Sequence, residues 1–175
     1  KGWFGLAADS TWAVLGTTLA LVLHCANGLR GNSGYCAYLS ERRNRHVYDS
    51  GLALKPMLAL TAGNVISNAG QGRHDLVDSF LTNHEELHIW QGRLFGPLYQ
   101  FIYVVWFPIG AGIGLAIWAL DRSQSLESLV QTAAYFNNPF EYWAYRNDHY
   151  WPPRGAHPKL AWGPRRPGEK QNVDG

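Results

Sequence analysis

Twenty consecutive residues, Phe101 to Leu120, contain no Asp, Glu, Lys or Arg, and Asp121-Arg122 ends the run abruptly. About twenty apolar residues suffice to cross the hydrocarbon of a bilayer, so this run constrains the fold more than any other feature. Pro108 and the glycines Gly110, Gly112 and Gly114 interrupt its middle. They predict either a re-entrant hairpin of two half-helices or one kinked span, with Gly110 and Gly114 offering a GxxxG face for close helix packing. A second uncharged stretch, Trp12 to Leu29, predicts an N-terminal span with His24 near its polar end. Only 16% of the chain is charged, and eight Trp and nine Tyr occur in 175 residues. Aromatic side chains with polar tips suit membrane interfaces. The net charge of +2, with no basic cluster interleaved with aromatics, argues against a nucleic-acid partner.

The expected fold is therefore mainly α. It has membrane-associated helices, namely the N-terminal span and the broken or re-entrant second one, and a short β segment within Met57–Ser67 that carries an irregularity at Gly63. A helix is expected from about Asp75 to Gly92 and another from Ser125 to Tyr135. Residues 1–150 read as a single domain. Residues 151–175, rich in Pro, Gly and basic side chains, read as a tail that other membrane subunits would order. The chain opens on Lys1, as a processed or partial chain would. Cys25 and Cys36 lack CxxC spacing and are expected as free thiols.

The chemistry lies in His84-Glu85-Glu86-Leu87-His88. Two histidines four apart on a helix share one face and can share a metal. Glu85, beside the first of them, is placed to take a proton from a water that the metal activates. Downstream, Asn138-Pro139-Phe140-Glu141 puts a carboxylate just after a helix-starting Pro. Together these pieces resemble the gluzincin type of zinc metallopeptidase. They are most similar to small bacterial membrane proteins that pair an HExxHxxQ helix with a later Asn-Pro-Phe-Glu segment. The matching pieces are Ala59–Ile66, His84 to Gln91, Gly96-Pro97-Leu98 and Asn138–Glu141, within residues 57–145. The resemblance implies zinc held by His84, His88 and Glu141, Glu85 as the catalytic base, and a bacterial inner-membrane setting. It further implies that the strand near Leu58–Ile66 lines a cleft and can pair with an extended peptide.

Glu86 departs from that pattern, which usually carries an uncharged residue there. It lies about 200° round a helix from His84, an angle that would turn it to water. Tyr142 and Tyr145 are candidate oxyanion donors or packing residues. Asp148 and His149 are alternative ligands to Glu141, and His24 is a candidate cofactor ligand, to a porphyrin or chlorin for example, or a hydrogen-bonded interfacial histidine. His46, His74 and His157 are expected in solvent. Because His84 and His88 precede the apolar run and Glu141 follows it, a three-ligand site needs the chain to return to the side it left. Pro108 and Gly110–Gly114 mark the expected turn. The rival reading is a non-catalytic accessory subunit of a respiratory or photosynthetic membrane complex, offering packing surface to lipid and to other subunits.

Overall fold

The computed structural model describes residues 2–41, 44–54, 59–70, 84–147 and 151–163. The chain divides into two compact units, Lys1–Ile102 and Tyr103–Gly175. Both are mainly helical.

The first unit begins with α1 (Gly2–Ser10) and α2 (Val14–Leu29), which meet at 97°. The uncharged stretch expected as an N-terminal span forms one helix, α2, and α1 precedes it around a corner, where the Thr17 hydroxyl donates to the Asp9 carbonyl at 2.7 Å. At 16 residues α2 is about 24 Å long, short of the roughly 30 Å hydrocarbon layer. Its buried residues Gly16, Ala20, Leu23 and Asn27 fall at helical spacing and form one stripe.

That stripe lies on a small sheet. A short helix, α3 (Ala37–Ser40), precedes β1 (His46–Val47), and β2 (Leu60–Ala62) and β3 (Val65–Ser67) follow. The strand order is β1-β3-β2, with β1 parallel to β3 and β2 antiparallel to it. The single irregular strand expected here is therefore a hairpin, turned at Gly63 with φ of +50°. A glycine is required at that turn because a Cβ would lie 2.3 Å from the Gly16 carbonyl oxygen of α2. Alternation sorts the apolar residues to two covered faces. Val65 and Tyr48 pack with Ala20 and Leu23 of α2, while Val47 and Ile66 pack with Leu39 and Ile89. Ile89 belongs to α4 (Glu86–Phe95), so α2 and α4 cover opposite faces of the sheet.

Buried polar groups tie these layers together. Asn27 donates to Ser67 Oγ at 3.0 Å and accepts from the Leu52 amide at 2.8 Å. Arg93 of α4 grips Asp9 of α1 through Nε (2.9 Å) and Nη2 (2.8 Å), and Nη2 also donates to the Asn44 carbonyl at 2.7 Å. The bidentate geometry and the shared carbonyl satisfy a cation that would otherwise be costly to bury.

Among the described residues the longest element is α5 (Pro97–Leu120), about 36 Å of uninterrupted helix with Pro108 inside it. Of the two expected forms of this run, the re-entrant hairpin does not form and the helix is continuous through Pro108. The chain returns instead by a second helical arm in the second unit: α6 (Leu126–Gln131), a π-helical turn (Thr132–Phe136) and α7 (Pro139–Asn147). Ser125 caps α6 by accepting from the Ser128 amide at 3.3 Å. The glycines that look like helix breakers are where this arm comes close. A Cβ on Gly110 would sit 2.4 Å from the Ala133 carbonyl oxygen, and one on Gly114 2.7 Å from the Val130 Cα. Trp106 Nε1 donates to the same Ala133 carbonyl at 3.1 Å. Gly110→Ala should therefore destabilise the protein by about 1–3 kcal/mol through overpacking. Gly112→Ala, with open space around it, should be neutral or stabilising by up to about 1 kcal/mol from helix propensity. Thermal unfolding of the two variants in detergent checks the contrast.

The part of the C-terminal segment that is described, 151–163, is anchored on its own unit. Asn137 donates to the Leu160 carbonyl at 2.9 Å and accepts from the Trp162 amide at 3.1 Å. The His157 amide donates to Thr132 Oγ1 at 2.7 Å, and Trp162 meets Trp106 edge to face.

Among the described residues one helix, α5, is long and apolar enough to span a membrane, and only 11% of its most apolar window is buried. A soluble core helix would be largely covered. Phe101, Val104 and Phe107 are exposed along it. At its far end the Arg122 guanidinium lies 4.7 Å above the Trp118 ring, an aromatic–cationic pairing suited to an interface.

Candidate metal centre

His84 and Glu85 form a π-helical turn that leads directly into α4. Such widened turns recur at functional sites because they re-aim side chains within an otherwise regular helix. Both histidines are buried, their rings 4.9 Å apart and nearly perpendicular. His84 Nε2 and His88 Nε2 approach to 3.3 Å. Two nitrogens each bound at about 2.05 Å to a tetrahedral ion stand about 3.3–3.4 Å apart, so this spacing fits a shared metal. Without an ion it also accommodates an N–H···N hydrogen bond.

The other nitrogen of His88 is fixed. Its Nδ1 lies 2.8 Å from Gln91 Oε1, one turn further along α4, and 3.4 Å from the Tyr99 hydroxyl. An amide oxygen only accepts, so Nδ1 carries the proton and Nε2 keeps its lone pair for a metal. Gln91→Leu should leave α4 folded and weaken metal binding by about 10–100-fold. Competition with a chromogenic chelator would measure this.

Glu85 is buried and accepts from Thr61 Oγ1 of β2 at 2.5 Å through Oε2. Among the described residues nothing hydrogen-bonds its Oε1. Glu86 corrects the sequence reading. It is buried, with Oε2 3.0 Å from Arg45 Nη1 and Oε1 accepting from Trp90 Nε1 at 3.3 Å. Arg45 also donates from Nε to the Leu39 carbonyl at 3.0 Å. The helical angle was sound, but that side of α4 is covered by the segment leading into β1. The extra charge therefore serves a buried ion pair and not solvent.

Glu141 occupies the first turn of α7, the positive end of that helix. Pro139 starts the helix, and Asn138 Oδ1 accepts from the Phe140 amide at 3.0 Å. The Tyr103 hydroxyl donates to Glu141 Oε1, and the Tyr103 and Phe140 rings stack at 6.2 Å. Glu141 is buried in the second unit, as the two histidines are in the first. Sequence reasoning missed Tyr103, Thr61 and Arg45. For Tyr103 the usable signal was a phenol inside an apolar run, whose hydroxyl needs a partner.

The remaining candidates take other roles. Tyr142 packs against Trp151 and Trp162, and its hydroxyl accepts from Arg146 at 2.8 Å. Tyr145 packs against Phe136 and Trp151. His24 Nδ1 meets the Tyr48 hydroxyl at 2.9 Å. His46 and His157 are not in free solvent as expected. His46 is half-buried with Nδ1 3.0 Å from the Tyr35 hydroxyl, and His157 Nε2 meets Gln124 Oε1 at 3.0 Å. Burial, reinforced by His24, holds the His46 imidazole below its ordinary pKa. Cys25 and Cys36 are free thiols. His74, Asp148 and His149 lie outside the described residues, as does most of the helix expected from Asp75. No family model, curated protein or solved structure matches this chain.

Proposed function

We propose that the chain is a membrane-embedded zinc metallopeptidase-like protein, with zinc held by His84, His88 and Glu141 and with Glu85 as the base. The observation that carries this reading is the pair of buried Nε2 atoms 3.3 Å apart, with His88 held in the ligating tautomer by Gln91. A bound zinc ion supplies Lewis acidity and a water acidic enough to be deprotonated near neutral pH. The protein's own groups do the rest. Thr61 holds Glu85 by one oxygen, leaving the other to take the proton of the attacking water. The water oxygen adds to the peptide carbonyl carbon, the C–N bond breaks, and Glu85 hands its proton to the departing amine. The exposed apolar length of α5 supports a lipid environment, and the resemblance of the motif points to a bacterial inner membrane.

A second reading, that of an accessory subunit, draws support from aromatic surface unrelated to the site. Trp3 and Phe4 of α1 are 85% and 67% exposed, more than isolated surface residues require. Other membrane subunits are the partners it calls for. A peptidase assay in detergent or nanodiscs separates the two readings. Hydrolysis that depends on Glu85 supports the enzyme. Wild type and Glu85→Gln behaving alike supports the subunit.

A further inference from the structure

The sixteen residues of α2 carry no charged side chain, and among the described residues protein covers one side of the helix. That side is the stripe resting on the sheet, through Ala20 and Leu23. The opposite side presents Val14, Leu15, Leu19, Leu21 and Val22, each 46–64% exposed. Its one hydroxyl, on Thr18, donates to the Val14 carbonyl at 2.9 Å and so is spent within the helix. Cys25 is the only other exposed side chain of α2 with a donor, and a thiol is a weak one. The helix is bracketed at its two ends. Trp12, just before it, is 51% exposed and donates from Nε1 to the Leu94 carbonyl at 3.2 Å. Arg30, just after it, is exposed. A Cβ on Gly96 would strike the Trp12 indole, and one on Gly16 would lie 2.8 Å from Gln100 Nε2, so α2 begins beside the first turn of α5.

We propose, given the membrane setting of the proposed function, that α2 lies in the plane of the bilayer with its outer face in the acyl chains of one leaflet. At about 24 Å it is too short to span, and the sheet occupies its inner side. It can therefore meet lipid by one face, as in-plane helices do when they bury an apolar face about 5–10 Å into the boundary between headgroups and acyl chains. In most such helices the other face is charged and wet; here the sheet takes that place. Trp and Arg both settle at headgroup level, one by its amphipathic ring and the other by snorkelling. Trp12 at one end and Arg30 at the other thus hold the two ends at similar depth. The start of α5, beside Trp12, falls at the same level, where a span begins. A protein partner fits this face less well. Protein interfaces enrich aromatic residues and carry about one hydrogen bond per 100–200 Å², whereas this face is aliphatic and its hydroxyl is already used.

Spin labels on the full chain in nanodiscs of phosphatidylethanolamine and phosphatidylglycerol test this by electron paramagnetic resonance. Cys36→Ser leaves Cys25 as the one thiol to label, with α2 itself unaltered. Leu15→Cys and Val22→Cys are labelled in a background without the native thiols, as are Asn32→Cys, the exposed aqueous reference, and Val104→Cys, 72% exposed on α5. At all three α2 positions a water-soluble nickel chelate should collide with the label at least about fivefold less often than at position 32, and oxygen more often. The three depths should agree within about 5 Å; a helix standing upright would separate positions 15 and 25 by about 15 Å, and that gradient would overturn the in-plane placement. Water-like collisions on α2 with a lipid signal at position 104 would overturn the inference and leave the membrane setting standing. Water-like collisions at both would remove the membrane setting as well. Immobilised labels on α2 that meet neither reagent would overturn lipid contact and show a second copy of the chain on this face. The Cys25 measurement decides among these outcomes even if Leu15→Cys or Val22→Cys fails to fold.

Discussion

Glu85→Gln is expected to retain its metal and lose hydrolysis by at least about 10²-fold, the usual contribution of a positioned general base. The amide is nearly isosteric and can still accept from Thr61 through its oxygen, so the local structure should hold. What it lacks is a group able to take the water's proton and return it to the leaving amine. The diagnostic pattern is a fall in kcat with KM little changed, because the carboxylate acts on the transition state and not on substrate binding. A variant that loses metal along with activity would show that Glu85 supports the ligands. A fully active one would remove it as the base.

Glu86→Ala should destabilise the protein by about 3–5 kcal/mol, the cost of stripping the partner from a buried charge. Arg45 would keep its bond to the Leu39 carbonyl but lose its anion, and Trp90 would lose an acceptor. A solvent-facing Glu86 would instead tolerate the change within about 0.5 kcal/mol. Denaturant melts separate these outcomes. Arg45→Ala should cost a similar amount, and the double variant Arg45→Met/Glu86→Leu should recover much of the loss by removing both charges together.

The sequence was informative where chemistry repeats over one or two helical turns. His84 and His88 could be paired from spacing alone, and their nitrogens do converge. The α6 start at Ser125 was visible for the same local reason. Contacts between segments far apart in the chain were not. Arg45 reaches Glu86 across 41 residues and Asp9 reaches Arg93 across 84, and no local pattern encodes such partners. The glycines misled for a specific reason. Gly110 and Gly114 read equally well as a break or as a contact face, and only the close approach of Ala133 and Val130 decides between them. Gly63 likewise looked like a strand defect, whereas it turns a hairpin beneath the backbone of Gly16.

The proposed function rests on a metal ion held by His84 and His88. The most direct test is elemental analysis of the full chain, purified in detergent without chelators, beside a His84→Ala/His88→Ala variant. X-ray absorption on the zinc-loaded protein should find imidazole nitrogens at about 2.0–2.1 Å and an oxygen at about 2.0–2.2 Å. One zinc per chain is expected in wild type, and its loss in the variant with the fold retained. A folded wild-type protein that carries no stoichiometric metal and takes up none from micromolar zinc would contradict it.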